Sequence, residues 1–485
     1  MEEKALRGIP WAMLSYAGTK TATVVTTIVL ARLLAPEDFG LISLAMVVLG
    51  VVNLLSDMGM GSVLVLRRDL DDVAKGTALS LLLFLGAVLA ALLTTAAPWI
   101  GRLLRTPRLA PILSALAVTV FLSGLTWFYE SLLQGELEFR RRFLSQVAQT
   151  VSYAGVAIAL AIIGAGVWSL VVGQIVAFVV YAAVLLSVAP HRVRPAIDRQ
   201  AAKELMFGGV GFLLQGGVAF VKQNIDYLSI GRVLGVNSVG YYAMSFRLAE
   251  LPYWSIADPV AKVTFPGFAR MRHAGEDINA PYLQSLRLVA LITCPIGVIL
   301  AASADPFVRA VFGEKWLPMI PALSVLGIWA AIRPLLGTIG WMLNSSGQAR
   351  ISGLVSSLTV VPLLVAVVVA AHVGGLQGVA WVMLGDAWLS VCLLAYLVQV
   401  RTGVSLRRQW AAVWHVVVGC VAAWAGAKLG ISVAGQVPPT VALACAASVG
   451  AIAYVVTVSL LDPTVFRSNL VLLRRAFRRS PASLT

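Results

Sequence analysis

Lys20, Asp57, Glu130, Lys222, Asp226, Arg247, Glu250, Asp258, Lys262, Arg333 and Asp386 are ionisable side chains set inside long apolar runs. At the centre of a membrane-crossing helix such a residue costs about 2.5–3.5 kcal/mol or more, so it faces a bundle interior or an aqueous cavity and marks a path for ions or charged ligands. Lys20 has no carboxylate three or four residues away, and Arg333 stands in mid-run beside Pro334. A lone cation in low dielectric holds an anion strongly, phosphate above all. Lys222 precedes Asp226 by four residues, and Arg247 precedes Glu250 by three. These two cations read either as further anion ligands or as groups neutralised by their helical neighbours. Asp57 and Asp386 have the chemistry to take a proton or Na⁺ as coupling ion. Asp226 and Asp258 belong to the same set unless Lys222 and Lys262, each at helical spacing, neutralise them.

The chemistry of bond making is missing from the sequence. Gly18-Thr-Lys20-Thr21 lacks the upstream glycine of a phosphate-binding loop, and no G-x-S-x-G or H-E-x-x-H occurs. His191, His273, His372 and His415 are scattered. Cys294, Cys392, Cys420 and Cys445 lie inside apolar runs without a CxxC spacing and read as packing residues. No metal, cofactor or catalytic centre is expected, so the chain is not expected to be an enzyme. Any transport it performs is driven by a gradient, the membrane potential or substrate flux.

The elements that must position these charges follow from composition. Of 485 residues, 59% are hydrophobic and 12% charged, and the mean hydropathy is +0.88. That excludes a soluble enzyme, a nucleic-acid reader and a disulfide scaffold as descriptions of the whole chain. A 30 Å hydrocarbon layer needs roughly 20 apolar residues per helix, and this ruler gives about 14 spans. The fold class is therefore all-α and polytopic. One run covers residues 40–66 and another 237–265; two hairpins turn tightly at Ile163–Val167 and His372–Gly375.

The net charge of +15 and pI of 10.0 would suggest nucleic acid in a soluble protein. Here Lys and Arg gather in alternate loops, as the positive-inside rule requires, so no nucleic-acid partner is expected and both termini are placed in the cytoplasm of a bacterial inner-membrane protein. Glu2 and Glu3 precede the first run, and no small-residue cleavage site ends it, so the first helix is expected to be retained. In the tail, Phe466, Leu470, Leu473 and Phe477 recur at helical spacing opposite Arg474, Arg475, Arg478 and Arg479. This reads either as an amphipathic helix on an anionic leaflet or as a solvated topogenic tail.

The sequence also repeats itself. Leu30-Ala-Arg32-Leu-Leu34 with Gly40 has a counterpart at the same offset in Ile230-Gly-Arg232-Val-Leu234 with Gly240. Pro111–Leu116 resembles Pro321–Leu326, and Gly135, Gly166 and Gly173 match Gly347, Gly378 and Gly385 in order. The charges follow: Lys20 corresponds to Lys222 and Asp57 to Asp258. Two six-helix bundles of like orientation are expected, over residues 1–198 and 199–400, with two further helices and a basic tail over 401–485. A parallel repeat implies a site between bundles near the midplane.

These residues resemble a known family. Ala31–Gly40 (ARLLAPEDFG), Asp226–Gly235 (DYLSIGRVLG) with Gly240-Tyr-Tyr242, Leu251-Pro252, Ala257-Asp258-Pro259 and Val263–Pro266 are similar to stretches of Wzx-type polysaccharide repeat-unit flippases, in the multidrug/oligosaccharidyl-lipid/polysaccharide exporter superfamily. Gln134-Gly135, Phe139-Arg140 and Gly166–Leu170 extend the match, which runs to about Arg401. The resemblance implies a monomeric translocase that moves an undecaprenyl-pyrophosphate-linked oligosaccharide from the cytoplasmic to the outer leaflet by alternating access. Its substrate is then a lipid-linked oligosaccharide among membrane lipids, and a polysaccharide polymerase or glycosyltransferase is its expected partner. Under that reading Lys20, Lys222, Arg247 and Arg333 line a pyrophosphate and sugar cavity. By analogy with lipid II flippases, helices 13 and 14 bound a groove for the prenyl tail. A lipid II flippase and a drug/cation antiporter are the alternatives within the superfamily. A polytopic glycosyltransferase or polymerase fits less well, since those carry large soluble loops.

Overall fold

A computed structural model describes residues 2–66, 71–136, 138–189, 193–435 and 437–463. The proposed amphipathic tail, residues 466–479, lies outside them, as does His191. The described residues are almost wholly helical, and ten of their helices are long and apolar enough to cross a membrane. One of these ten covers residues 353–402 and is two helices joined at Gly375, whose φ of 57° breaks the run at the hairpin expected there.

The chain forms two compact units, residues 1–243 with 360–376 and residues 244–359 with 377–485. The first contains α1 (Glu2–Leu33), α2 (Pro36–Asp57), α3 (Met60–Leu66), α4 (Asp72–Leu103), α5 (Leu109–Gly135), α6 (Phe139–Ile162), α7 (Val167–Val188), α8 (Arg199–Val233) and the start of α9 (Val236–Pro252). Antiparallel neighbours pair through short turns: α4 on α5, α6 on α7, with α1 against α6 and α2 between α5 and α8. Its core joins Met60, Leu79, Leu82, Phe128, Leu133, Leu185 and Leu205 from five helices.

The run over residues 40–66 is not one helix. Met58 and Gly59 both take positive φ (46° and 74°), ending α2 and starting α3. Hydropathy does not show this break because the residues on either side of Ser56-Asp57-Met58-Gly59 are apolar and carry the run across it. The Asp57 carboxylate accepts from the Gly61 N–H at 2.9 Å, which satisfies one of the backbone donors that the new helix start leaves open.

The second unit contains the rest of α9, α10 (Asp258–His273), α11 (Asn279–Ala302), α12 (Ala304–Val311), α13 (Ile320–Ser345), most of α14 (Ala349–Thr402), α15 (Leu406–Ala434) and α16 (Pro439–Leu461). α11 packs on α13 and α15, and α15 on α16. Cys294 is buried with Leu291, Ala331, Val416 and Tyr454, which bears out its reading as packing. At one edge of this unit Arg287 of α11 pairs with Asp462, just beyond α16.

Close approach is required at one place above all. A Cβ on Gly40 would lie 2.0 Å from the Val236 carbonyl oxygen, and one on Gly240 would lie 1.9 Å from that of Pro36. The first turns of α2 and α9 therefore touch backbone to backbone, a packing that only small residues permit. The contact is reciprocal: Pro36 and Gly40 stand to Val236 and Gly240 as the sequence repeat pairs them.

Candidate functional site

The charged residues between Arg247 and Lys262 form one row. Arg247, Glu250, Trp254, Asp258 and Lys262 follow at three- and four-residue spacing, which keeps them near one face. Arg247 is exposed, Trp254 is 37% exposed, and the Lys262 side chain is 61% exposed. Charges with such exposure call for water or a polar ligand beside them.

A widened turn interrupts this row. Between α9 and α10, residues Tyr253–Ala257 form a π-helical turn in which the Asp258 N–H reaches back five residues to the Tyr253 carbonyl. The two prolines that flank it explain the change. Neither Pro252 nor Pro259 has an N–H to continue the ordinary ladder, so the chain takes on an extra residue per turn there. The widening packs against α13.

Arg333 of α13 meets that turn. Its guanidinium carbon lies 4.2 Å from the centre of the Tyr253 ring, a cation–π stack. Gly337, one turn further along α13, makes room for the ring: a Cβ there would lie 2.9 Å from Tyr253 Cε2 and 3.3 Å from Trp341 Cζ2. Among the described residues no carboxylate stands within ion-pair distance of Arg333. A guanidinium held over a ring still carries its N–H donors in its own plane, and a planar pair of such donors can take a phosphate by two parallel bonds.

The acids nearby differ in their partners. Asp258 pairs with Lys262 at 2.7 Å, the helical neutralisation its spacing suggests. Glu250 instead accepts from Trp254 Nε1 at 3.2 Å. Arg247 is not paired with it. Trp254 and Tyr253 meet edge to face with ring centres 5.1 Å apart. Asp386, half-buried on α14, belongs to the same unit.

The other expected residues belong to the first unit. Lys20 on α1 and Lys222 on α8 are half-buried, as is Asp57. Asp226 is fully buried and accepts from the Tyr242 hydroxyl at 2.7 Å and the Tyr227 N–H at 2.9 Å. Those two donors satisfy a carboxylate that would be expensive to bury bare. Glu130, on α5, joins Arg142 at 2.5 Å and accepts from the Tyr181 hydroxyl at 2.8 Å. An apolar groove of about 460 Å³, lined by Ala22, Thr150, Val151, Ala154 and Ile158, lies along α1 and α6 and offers no charged group to a ligand. No group of three or more His, Cys, Asp or Glu able to hold a metal is found among the described residues.

Arg247, Asp258 and Arg333 stand out in the sequence by their charge, whereas Tyr253, Trp254 and Gly337 do not. The two prolines bracketing Tyr253–Ala257 were the available signal. Nothing in the sequence tied that segment to Arg333.

Comparison with known proteins agrees with this architecture. Residues 29–321 match the profile of a family described as "Polysaccharide biosynthesis protein". The chain is 25% identical over 425 residues to the lipopolysaccharide biosynthesis protein WzxC of Escherichia coli (strain K12), covering 85% of each chain. It is 28% identical over 355 residues to the teichuronic acid biosynthesis protein TuaB of Bacillus subtilis (strain 168), covering 71% of this chain and 73% of the relative. Among solved structures, the lipid II flippase MurJ in an inward closed conformation superposes with a TM-score of 0.78 at 13% identity, over 95% of this chain and 99% of that one. An inward-facing multidrug resistance MATE transporter gives 0.63 at 17% identity, over 82% and 98%. These two likenesses establish a shared fold.

Proposed function

The chain belongs to the polysaccharide biosynthesis protein family, and we propose that it is a flippase of the Wzx type, carrying an undecaprenyl-pyrophosphate-linked oligosaccharide from the cytoplasmic to the outer leaflet. WzxC and TuaB, named for lipopolysaccharide and teichuronic acid biosynthesis, support the substrate class. The observation that carries the reading is Arg333. It is a cation in the middle of an apolar helix, set over the Tyr253 ring at 4.2 Å, with no carboxylate within ion-pair distance among the described residues. A drug cation would be repelled by that arrangement; a pyrophosphate would be held by it.

In this account Lys20 and Lys222 of the first unit, and Arg247 and Arg333 of the second, are the cations available to a pyrophosphate as the protein alternates between inward- and outward-open states. Asp57, Asp226 and Asp386 are the groups available to a coupling ion, and Asp258, which sequence alone adds to that set, is held by Lys262. About 14 spans in two like-oriented bundles plus two helices, with both termini in the cytoplasm of the inner membrane, complete the arrangement. The protein acts as a monomer beside the glycosyltransferases or polymerase that make and use its substrate, and it catalyses no covalent step.

The test is genetic and chemical. Cells lacking the protein are expected to accumulate lipid-linked oligosaccharide on the cytoplasmic leaflet. Accumulation on the outer leaflet, or none, contradicts the assignment.

A further inference from the structure

We propose that the widened turn between α9 and α10 holds a sugar-stacking subsite, in which the indole of Trp254, backed by Tyr253, receives the pyranose ring attached to the phosphate that Arg333 binds. The inference rests on the flippase reading and adds to it the residues that read the sugar.

Four observations converge on it. Trp254 is 37% exposed and stands in a row with Arg247, Asp258 and Lys262, so its open surface lies on the same face as those charges. Its indole is held: Nε1 donates to Glu250 Oε2 at 3.2 Å and the ring meets Tyr253 edge to face at 5.1 Å. A ring fixed in this way presents a flat, partly apolar face at little entropic cost. The axial C–H bonds of a pyranose carry slight positive charge and are attracted to the negative face of an aromatic ring.

The polar complement is present too. Glu250 is held by one oxygen, and a carboxylate has acceptor sites to spare for the hydroxyls at a sugar's rim. The anion site is adjacent, because Tyr253 touches both partners: Arg333 over its face at 4.2 Å and Trp254 in a T-shaped contact at 5.1 Å. Guanidinium and indole thus share one aromatic neighbour, Tyr253. The π-helical turn produces this juxtaposition, since it places the consecutive aromatic residues 253 and 254 toward α13 and toward the polar row respectively.

The experiment measures binding to the full-length protein in nanodiscs with two probes. One is the lipid-linked saccharide pool extracted from cells lacking the protein; the other is undecaprenyl diphosphate without sugar. Wild type is expected to bind the saccharide pool more tightly than the bare diphosphate. Trp254→Ala should abolish that advantage, a loss of about tenfold or less, while leaving the affinity for bare diphosphate as in wild type. Trp254→Phe, which keeps an aromatic face, should retain most of the advantage, and Arg333→Gln should weaken both probes alike. The proposal is overturned if wild type binds the two probes equally, if Trp254→Ala weakens both equally, or if it weakens neither. Failure of wild type to bind either probe would instead overturn the flippase reading itself.

Discussion

Gly40 on α2 and Gly240 on α9 sit in a reciprocal contact, each with its missing side chain replaced by a carbonyl oxygen of the opposing helix, from Val236 and Pro36 respectively. The same two glycines head the sequence repeat. The first turns of α2 and α9, which carry these matching glycines, pack on each other.

We predict that Gly40→Ala and Gly240→Ala each destabilise the protein by about 1–3 kcal/mol, the usual cost of forcing atoms into a filled space. Because either methyl pushes the same two helices apart, the double variant should lose less than the sum of the singles. Unfolding midpoints in detergent check both statements. Unchanged midpoints for the single variants would show that the helices separate freely.

The Glu130–Arg142–Tyr181 group makes a second prediction about stability. Tyr181→Phe removes one bond to the carboxylate and should cost about 1 kcal/mol. Glu130→Ala leaves the Arg142 guanidinium without its acid, and its Nε already has no acceptor. Its cost should fall toward the lower end of about 3–5 kcal/mol, since both groups keep some contact with solvent. Equal losses for the two variants would mean that the charge pair contributes nothing beyond the tyrosine bond.

Asp57 is predicted to matter for coupling. Its carboxylate accepts from the backbone N–H groups of Gly59 and Gly61 around the start of α3, with no cation beside it among the described residues. Asn can keep an acceptor there but cannot carry a proton or bind Na⁺ by charge. Asp57→Asn should therefore fold normally and transport with reduced dependence on an imposed ion gradient, measured in proteoliposomes. Wild-type gradient dependence would remove Asp57 from the coupling set.

Gly337 offers a test of geometry without touching a charge. A methyl at this position would press on Tyr253 Cε2 and tilt the ring from under Arg333. Gly337→Ala should lower transport by about tenfold, the scale of a lost stacking contact, with insertion into the membrane unaffected. Full activity in this variant would mean that the stack does not orient the guanidinium.

Much of this architecture was legible in the residues themselves. Apolar runs located the helices because the bilayer imposes a length, and the glycines near residues 163–167 and 372–375 marked turns that the structure contains. The break at Met58–Gly59 is not legible there, since a left-handed residue pair inside an apolar run leaves hydropathy unchanged. The site was legible by charge and not by partner. Arg333 was selected because a cation in mid-helix is expensive, but its contact with Tyr253 joins distant parts of the chain and depends on Gly337 having no side chain. Asp226 was read from Lys222, four residues away, whereas its tyrosine donor comes from the following helix. Spacing reveals only partners on the same helix; contacts across helices require the fold.

The central claim is that Arg333 holds the phosphate of a lipid-linked saccharide, and the most direct measurement is translocation of that lipid by purified protein in proteoliposomes. Wild type, Arg333→Lys and Arg333→Gln should be compared at equal reconstitution. The account predicts that Gln reduces the rate by about tenfold or more, and that Lys recovers only part of it, because an ammonium keeps the charge but not the planar pair of donors. A wild-type rate for Arg333→Gln would contradict it.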